Sequence, residues 1–427
     1  MKKYAVCGIS NRAIGMFIRP IMEKFGTSAV LCAVLDPDAR RYEVLKQNCP
    51  GAEKIPFYQG EEKFGSMLSE TRPDVIISAG IDRTHMSYIL KALENNLDVL
   101  SEKPMVTTAE DAGKILAAEK KSRGKITVTF NVRYNPLSMA VKDIIHEGKI
   151  GRITYVDLNW CVDTYHGSSY FMRWNRLRKN SGGLSIHKST HHFDLINWWI
   201  NQKPLEVSAF GARNYFGPES EYNPAKKDGR HCGSCAEREQ CRYYSRWHSR
   251  TDDAAPADDH LNTVNKGRAA GDYTGYSPDM CIYDSEIDIE DTYVANIRYD
   301  QGAFLSYSVN FSAPYEGFRV TINGTKGRLE TCEYQAPDRL TFTPPEQTID
   351  YFPLFGARQT IRVVKNKGGH GGADPLLQED LFISPLVRPY EMNAGSLAGA
   401  LSVAMGEAVW KSSKENKIIR INDLLKF

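Results

Sequence analysis

Short runs of Val, Ile, Leu and Ala recur through the first third of the chain, and segments whose apolar residues fall every three or four positions lie between them. The runs at 3–7, 29–35, 74–79, 98–100 and 126–130 are nearly continuous in apolar residues, the pattern of strands buried on both faces. Between the first two, Ile14, Phe17, Ile18, Ile21, Met22 and Phe25 trace one helix face that Gly26 closes. Pro20 interrupts that face and predicts a kink, because it lacks the N–H an interior turn needs. Further helices are predicted at about 85–96 and 109–121. Strand and helix in alternation predict an α/β fold with a doubly wound parallel sheet.

After residue 130 the pattern changes. A helix at about 136–147 leads into a strand at 153–160, and an apolar helix follows at about 188–200. From 205 onward, segments such as 292–299, 303–310, 318–323 and 328–331 alternate like strands with one buried face, and Asp300-Gln301-Gly302 and Asn323-Gly324 mark turns between them. This predicts an α+β domain on a mostly antiparallel sheet. The polar stretch at about 217–283 reads as an insertion. A last helix, about 394–414, carries Ala398, Gly399, Ala400, Ala404 and Gly406, small residues that allow close packing. The predicted division is a dinucleotide-binding domain at 1–130 and a substrate and oligomerisation domain at 131–427.

Composition narrows the function. A chain of 427 residues with 41% hydrophobic and 25% charged residues is an ordinary globular protein, and no apolar run reaches the length of a membrane span. A net charge of +2 without long Lys/Arg blocks argues against nucleic-acid partners and for a small molecule. Met1-Lys2-Lys3 begins like a signal peptide, but the apolar run stops at Gly8, so the cytoplasm is the default. Nine cysteines, an odd number that includes Cys7, Cys32 and Cys161 in apolar runs, also point to a reducing compartment.

The turn after the first strand is Gly8-Ile9-Ser10-Asn11-Arg12-Ala13, so the dinucleotide fingerprint G-x-G-x-x-G reads as G-x-S-x-x-A. Small residues there let backbone N–H groups and a helix N-terminus meet a pyrophosphate. Asp36, at the end of the second strand, stands where an acidic residue accepts hydrogen bonds from the ribose hydroxyls and repels a 2′-phosphate. NAD is therefore expected over NADP, with Arg40 and Arg41 close enough to keep NADP open. Asp36 ahead of Pro37 also fits a helix N-cap.

Ser101-Glu102-Lys103-Pro104 is a more specific signal. With Ser78 to His85, Val132-Arg133-Tyr134-Asn135-Pro136, Gly182-Gly183 before a His-x-x-Asp helix, and Gly324-Thr325-Lys326-Gly327, it makes the chain resemble the glucose-fructose oxidoreductase, inositol dehydrogenase and MocA family (Gfo/Idh/MocA). The resemblance implies an N-terminal Rossmann domain and a large, open, mostly antiparallel C-terminal sheet used for homodimer or homotetramer contacts. It also implies hydride transfer between a nicotinamide and a carbohydrate or cyclitol carbon. It places Ser78, Asp82, His85, Glu102 and Lys103 at the cofactor, with Arg133, Tyr134 and Asp194 as candidates on the substrate side.

Alcohol oxidation needs a base for the hydroxyl proton and a group that stabilises alkoxide. Lys103 and His191 are the expected pair, with His187 as a third candidate. On one helix His187, His191 and Asp194 would share a face, at i, i+4 and i+7. His187 stands where the family pattern has Asp, which removes an anion beside His191 and favours neutral imidazoles. Two imidazoles at i, i+4 also fit a metal pair, though Lys188 replaces the Glu of a zinc protease motif. His370, in a glycine-rich loop, is placed to close over substrate. Trp160, Tyr165, Tyr170, Trp174 and Tyr244 are candidate sugar-stacking rings. Cys232, Cys235, Cys241 and Cys281 read as a structural zinc site, with packed thiols or a disulfide as alternatives. Three readings of the whole stand: a sugar or cyclitol dehydrogenase, an NAD-dependent glycosidase working by transient ring oxidation, and a non-catalytic ligand sensor.

Overall fold

The computed structural model describes residues 1–244 and 279–426, so part of the insertion expected at 217–283 lies outside the described residues. Six strands run in chain order through the N-terminal part: β1 (Lys2–Cys7), β2 (Ala29–Asp36), β3 (Phe57–Gln59), β4 (Val75–Ser78), β5 (Asp98–Ser101) and β6 (Ile126–Val128). They pair in parallel in the order β6-β5-β4-β1-β2-β3. The order reverses beside β1, and ligands of such sheets bind at the carboxyl ends of the strands near that reversal. Val6, Val34, Ile76, Ile77 and Val99 are fully buried, as two-faced burial requires.

The first helix shows how Pro20 is accommodated. Residues Asn11–Ala13 and Arg19–Glu23 are α-helical, and Ile14–Ile18 between them widens into a π-helical turn in which Arg19 N–H bonds the Ile14 carbonyl. Pro20 cannot donate to the Met16 carbonyl, which instead accepts from the Gln378 side-chain amide at 3.4 Å. The expected irregularity is thus an inserted bulge, and the freed carbonyl ties the helix to a distant part of the chain.

The second sheet is built from β7 (Ile153–Asp163), β8 (Pro204–Ala212), β9 (Thr292–Tyr299), β10 (Phe304–Ala313), β11 (Glu316–Gly324), β12 (Gly327–Gln335), β13 (Thr348–Pro353) and β14 (Gln359–Arg362). Two short strands follow, β15 (Ala394–Gly395) and β16 (Ile419–Arg420). The nine-stranded order is β14-β13-β12-β11-β7-β10-β9-β8-β16, antiparallel except for the β7–β10 pair. Along β9, Tyr293, Ala295, Ile297 and Tyr299 are buried while their neighbours face out, the one-sided alternation the sequence carries.

β15 crosses back to the first sheet and pairs antiparallel with β6, Ala394 opposite Val128. The last long helix therefore begins at Ser396 and ends at Glu415, later than the pattern at 394–414 predicts, because Ala394 and Gly395 are taken by the sheet edge. Its small residues allow the close approach expected of them: a Cβ on Gly406 would fall 2.2 Å from the Ser185 carbonyl oxygen. No helix among the described residues is long and apolar enough to cross a membrane.

In the insertion His231 bridges Met280, and Cys232 N–H bonds the Asp279 carbonyl. All nine cysteines are free thiols. The zinc expectation for Cys232, Cys235, Cys241 and Cys281 gains no support: no group of three or more His, Cys, Asp or Glu side chains among the described residues is arranged to hold a metal ion. Burial, and then the neighbouring Cys281, Cys241, Asp279 and Cys235, push Cys232 up to about 12, and burial pushes Cys281 up to about 11. The same geometry gives no support to a metal on His187 and His191.

Candidate active site

The turn after β1 fits a dinucleotide by shape. Gly8 has φ +95°, and a Cβ there would lie 2.3 Å from the Gly80 backbone, so only glycine lets the β1 and β4 loops close on each other. The Ser10 hydroxyl caps the helix by accepting from Ala13 N–H at 3.0 Å. The Asp36 carboxylate accepts from Ile9 N–H at 2.7 Å and from Asp38 N–H at 2.9 Å. It thus braces the turn, while Asp38 caps the next helix by accepting from Arg40 N–H. Arg41 donates from Nε to the Ile9 carbonyl and from Nη2 to Asn11 Oδ1, which sets a cation beside Asp36. The Ser78 hydroxyl, at the end of β4, is buried with no hydrogen-bond partner. Two close-packed glycine loops and an unsatisfied hydroxyl at this edge fit a bound nicotinamide dinucleotide.

Arg12 and His370 have a shared partner that the sequence did not reveal. Arg12 lies on Asp374 through two bonds of 2.9 and 3.2 Å and donates from Nε to Glu102 at 3.0 Å. Asp374 also accepts from Asn131 Nδ2 at 2.7 Å and faces His370 Nδ1 at 2.8 Å. The glycine-rich loop is therefore docked on the cofactor turn, and His370 sits at its rim with 45% of its side chain exposed. His85 sets its two ring nitrogens on the Pro104 and Gly80 carbonyls at 2.9 and 3.3 Å, tying together the loops after β4 and β5.

Lys103 follows β5, next to a cis peptide bond to Pro104. Its Nζ donates to the His187 carbonyl at 3.1 Å. That carbonyl is free because the helix breaks: Leu184–His187 is a separate short turn, the next helix is Ser189–Ile200, and His191 N–H bonds the Lys188 carbonyl instead. The expectation that His187, His191 and Asp194 share one helix face is corrected accordingly. A carbonyl that would have closed the turn onto His191 receives the ammonium of Lys103.

His187 turns its Nδ1 to Asp82 in a short hydrogen bond, and Asn175 Nδ2 donates to its Nε2 at 3.2 Å. Tyr170 and Trp174 stand edge-on to its ring at 5.3 and 5.6 Å. His191 differs: its Nδ1 is buried without a partner, and its nearest ring neighbour is Phe130. Burial, and then the charge of Lys103, hold both imidazoles well below the ordinary histidine range. Burial lowers Lys103 to about 8 against the pull of Asp82 and Glu102. Burial also raises Asp82, with the Lys103 ammonium opposing it.

Three residues expected on the substrate side are engaged elsewhere. Arg133 and Asp194 form a buried two-bond ion pair of 2.7 and 2.6 Å, and the Tyr134 hydroxyl donates to Asp380 at 3.0 Å. Their side chains are saturated by protein partners. Trp160 is likewise core, stacked on His192 at 3.8 Å. Conversely, sequence reading missed a second cluster: His166 Nδ1 meets Glu316 at 2.9 Å, its Nε2 meets the Tyr170 hydroxyl at 2.7 Å, and Lys188 and Arg339 also face Glu316. Its members come from distant strands and turns, so no local spacing announces them.

Two family descriptions match the chain: an oxidoreductase family NAD-binding Rossmann fold over residues 2–130, and the C-terminal alpha/beta domain of the same oxidoreductase family over residues 142–421. The chain belongs to the Gfo/Idh/MocA family. It is accordingly an NAD(P)-dependent oxidoreductase by family, with a Rossmann domain and a mostly antiparallel second sheet. A Bacillus subtilis (strain 168) protein named as an oxidoreductase, YteT, is 56% identical over 427 residues, 99% of each chain. An inositol 2-dehydrogenase of Rubrobacter xylanophilus is 29% identical over 189 residues, 43% of this chain and 48% of its own. Among solved structures, the WlbA dehydrogenase from Bordetella pertussis, in complex with NADH and UDP-GlcNAcA, superposes with a TM-score of 0.64 at 16% identity over 98% of this chain and 97% of that one, a likeness of fold.

Proposed function

We propose that the protein oxidises a hydroxyl of a sugar, sugar derivative or cyclitol with NAD, Lys103 taking the hydroxyl proton and His191 orienting the hydroxyl. The observation that carries this is the pairing of a lysine lowered to about 8 with an imidazole nitrogen left without a partner, at the carboxyl edge of the parallel sheet. The nicotinamide, when bound, supplies the hydride exchange; Gly8, Ser10, Asn11, Arg12, Ala13 and Asp36 would hold its dinucleotide. With a pKa near neutrality, Lys103 serves as base when neutral and as acid when charged, so one residue serves both directions. The His187 carbonyl aims the ammonium, and Asp82 helps hold His187 in place. Asp36 favours NAD over NADP on this reading, although its bond to Ile9 N–H means both cofactors feel its loss.

All nine cysteines being free supports a cytoplasmic setting. Phe210, Val294 and Phe304, 70%, 46% and 52% exposed on the outer face of the nine-stranded sheet, support a homodimer or homotetramer through that face. The test is to identify the cofactor carried by purified protein, then measure reduction of NAD with a panel of free sugars, sugar acids, cyclitols and aryl glycosides. Oxidation of a free sugar, a sugar derivative or a cyclitol is expected. Cleavage of aryl glycosides without net NAD reduction would replace this reading with a glycosidase, and ligand binding without turnover on any substrate would replace it with a sensor. For the cofactor, Asp36→Ala should weaken NAD more than NADP in a fluorescence titration; equal losses would give Asp36 a bracing role only.

A further inference from the structure

Three arginines line the stretch between the helix Thr164–Met172 and the histidine segment, and two of them have carboxylate partners. Arg176 pairs with Asp284 at 2.9 Å, and Arg178 pairs with Glu290. Arg173 has none among the described residues. Its Nε donates to the Ser169 carbonyl at 2.9 Å and its Nη2 to the Ser169 hydroxyl at 3.0 Å, one turn back on its own helix. Those two bonds fix the guanidinium plane and leave Nη1 without a partner among the described residues. Among other cations around the site, Arg12 has Glu102 and Asp374, and Lys188 and Arg339 share Glu316, while Lys103 is held on the His187 carbonyl.

The neighbours of Arg173 put it at the site. The next residue, Trp174, stands edge-on to His187, and Asn175 donates to the same imidazole. The Arg173 charge is also among the causes that depress His187 and oppose the rise at Tyr170. A partly buried guanidinium held flat, with its outer edge free, is the geometry that receives a carboxylate through two parallel N–H···O bonds. Such a cation is costly to keep unpaired, and an arriving anion offsets that cost.

We propose that Arg173 binds a carboxylate of the substrate, so that the substrate is a sugar acid, a uronate or aldonate, and not a neutral sugar or cyclitol. The inference rests on the hydroxyl-oxidising reading for its chemistry, but the binding it asserts is measured separately. The experiment is calorimetric titration of the NADH-loaded full-length protein with matched uronate and aldose pairs of several hexose configurations, with aldonates and hexose 6-phosphates alongside. At least one acid should bind about 10- to 100-fold more tightly than its neutral partner. Arg173→Ala and Arg173→Gln should abolish that preference, Arg173→Lys should recover part of it, and NADH affinity should not move. The proposal is overturned if neutral partners bind as well as the acids, if a phosphate binds best, if no acid binds at millimolar concentration, or if Arg173→Ala weakens acid and neutral ligands equally. An acid that binds through Arg173 but is never oxidised leaves this inference standing and overturns the hydride-transfer reading instead.

Discussion

Two buried clusters, each with a histidine, a carboxylate and a lysine, respond oppositely to the same burial. Around Glu316 two cations converge, Lys188 and Arg339, the last also paired with Asp163, and His166, itself lowered by burial, sets a ring nitrogen on the same carboxylate. The His166 contact and the two cations hold Glu316 well below the usual carboxylate range in spite of burial. Around Asp82 there is one ammonium, Lys103, and a histidine that burial keeps neutral. Here desolvation dominates: the carboxyl rises and the lysine falls to about 8. The number of cations per carboxylate thus separates a fixed-charge brace from a group that can exchange protons near neutral pH.

The sharpest way to break the comparison is to remove the labile proton. Lys103→Ala should lower turnover by about 100-fold or more on a verified substrate, with cofactor affinity little changed. In the intact enzyme the rate of oxidation should rise with pH through about 8, as Lys103 deprotonates, and the reverse rate should fall over the same window. Near wild-type turnover of Lys103→Ala would move the proton chemistry to His191 or His370.

Removing the brace should act on stability instead. Glu316→Gln leaves Lys188 and Arg339 without their shared anion and should cost about 3 to 5 kcal/mol in chemical denaturation. Because the folded pKa of Glu316 is depressed, its stabilisation is fully present above the unfolded carboxyl pKa of about 4.3 and is lost as pH falls through the folded value. The gap between wild type and variant should therefore persist at neutral pH and close in acid. A gap that stays constant into strong acid would assign the loss to packing.

Smaller effects tune the labile cluster. Asp82→Asn removes an anion that supports the Lys103 ammonium, so the rising limb of the oxidation profile should move down by about one pH unit. His187→Asp adds a carboxylate at the position facing Asp82 and should move that limb up. Smallest of all, Lys103→Met should leave stability unchanged or slightly higher at pH 7. A buried lysine with a depressed pKa disfavours the folded state below that pKa, and wild-type stability should rise between about pH 8 and the unfolded value near 10.4. A clear loss in the methionine variant would show that the bond to the His187 carbonyl outweighs desolvation.

Much of the fold was legible because its strands obey simple periods. β1, β2, β4, β5 and β6 are continuous apolar runs, and β9 to β12 alternate. β3, β13 and β14 are short and carry little pattern, and β15 looks like the start of a helix because its sheet partner lies in the other half of the chain. At the site, Lys103, His187 and His191 stood out by chemistry and motif. Their geometry did not, since a broken helix at Lys188 depends on a lysine arriving from β5. Arg133 and Asp194 show the reverse failure: each has the chemistry of a ligand-binding residue, and only the fold reveals that they bind each other.

The return of β15 to the edge of the first sheet has a consequence for synthesis. On the ribosome the dinucleotide-binding part emerges before the second sheet, yet its seventh strand, β15, is made only after the strands of that sheet through β14. At translation speeds of about 5 to 20 residues per second, the edge at β6 stays open for many seconds, a template for other chains unless something covers it. A chain released early therefore carries an unclosed sheet, and a chimera that exchanges only the first 130 residues would have to take the Ala394–Gly395 segment with it.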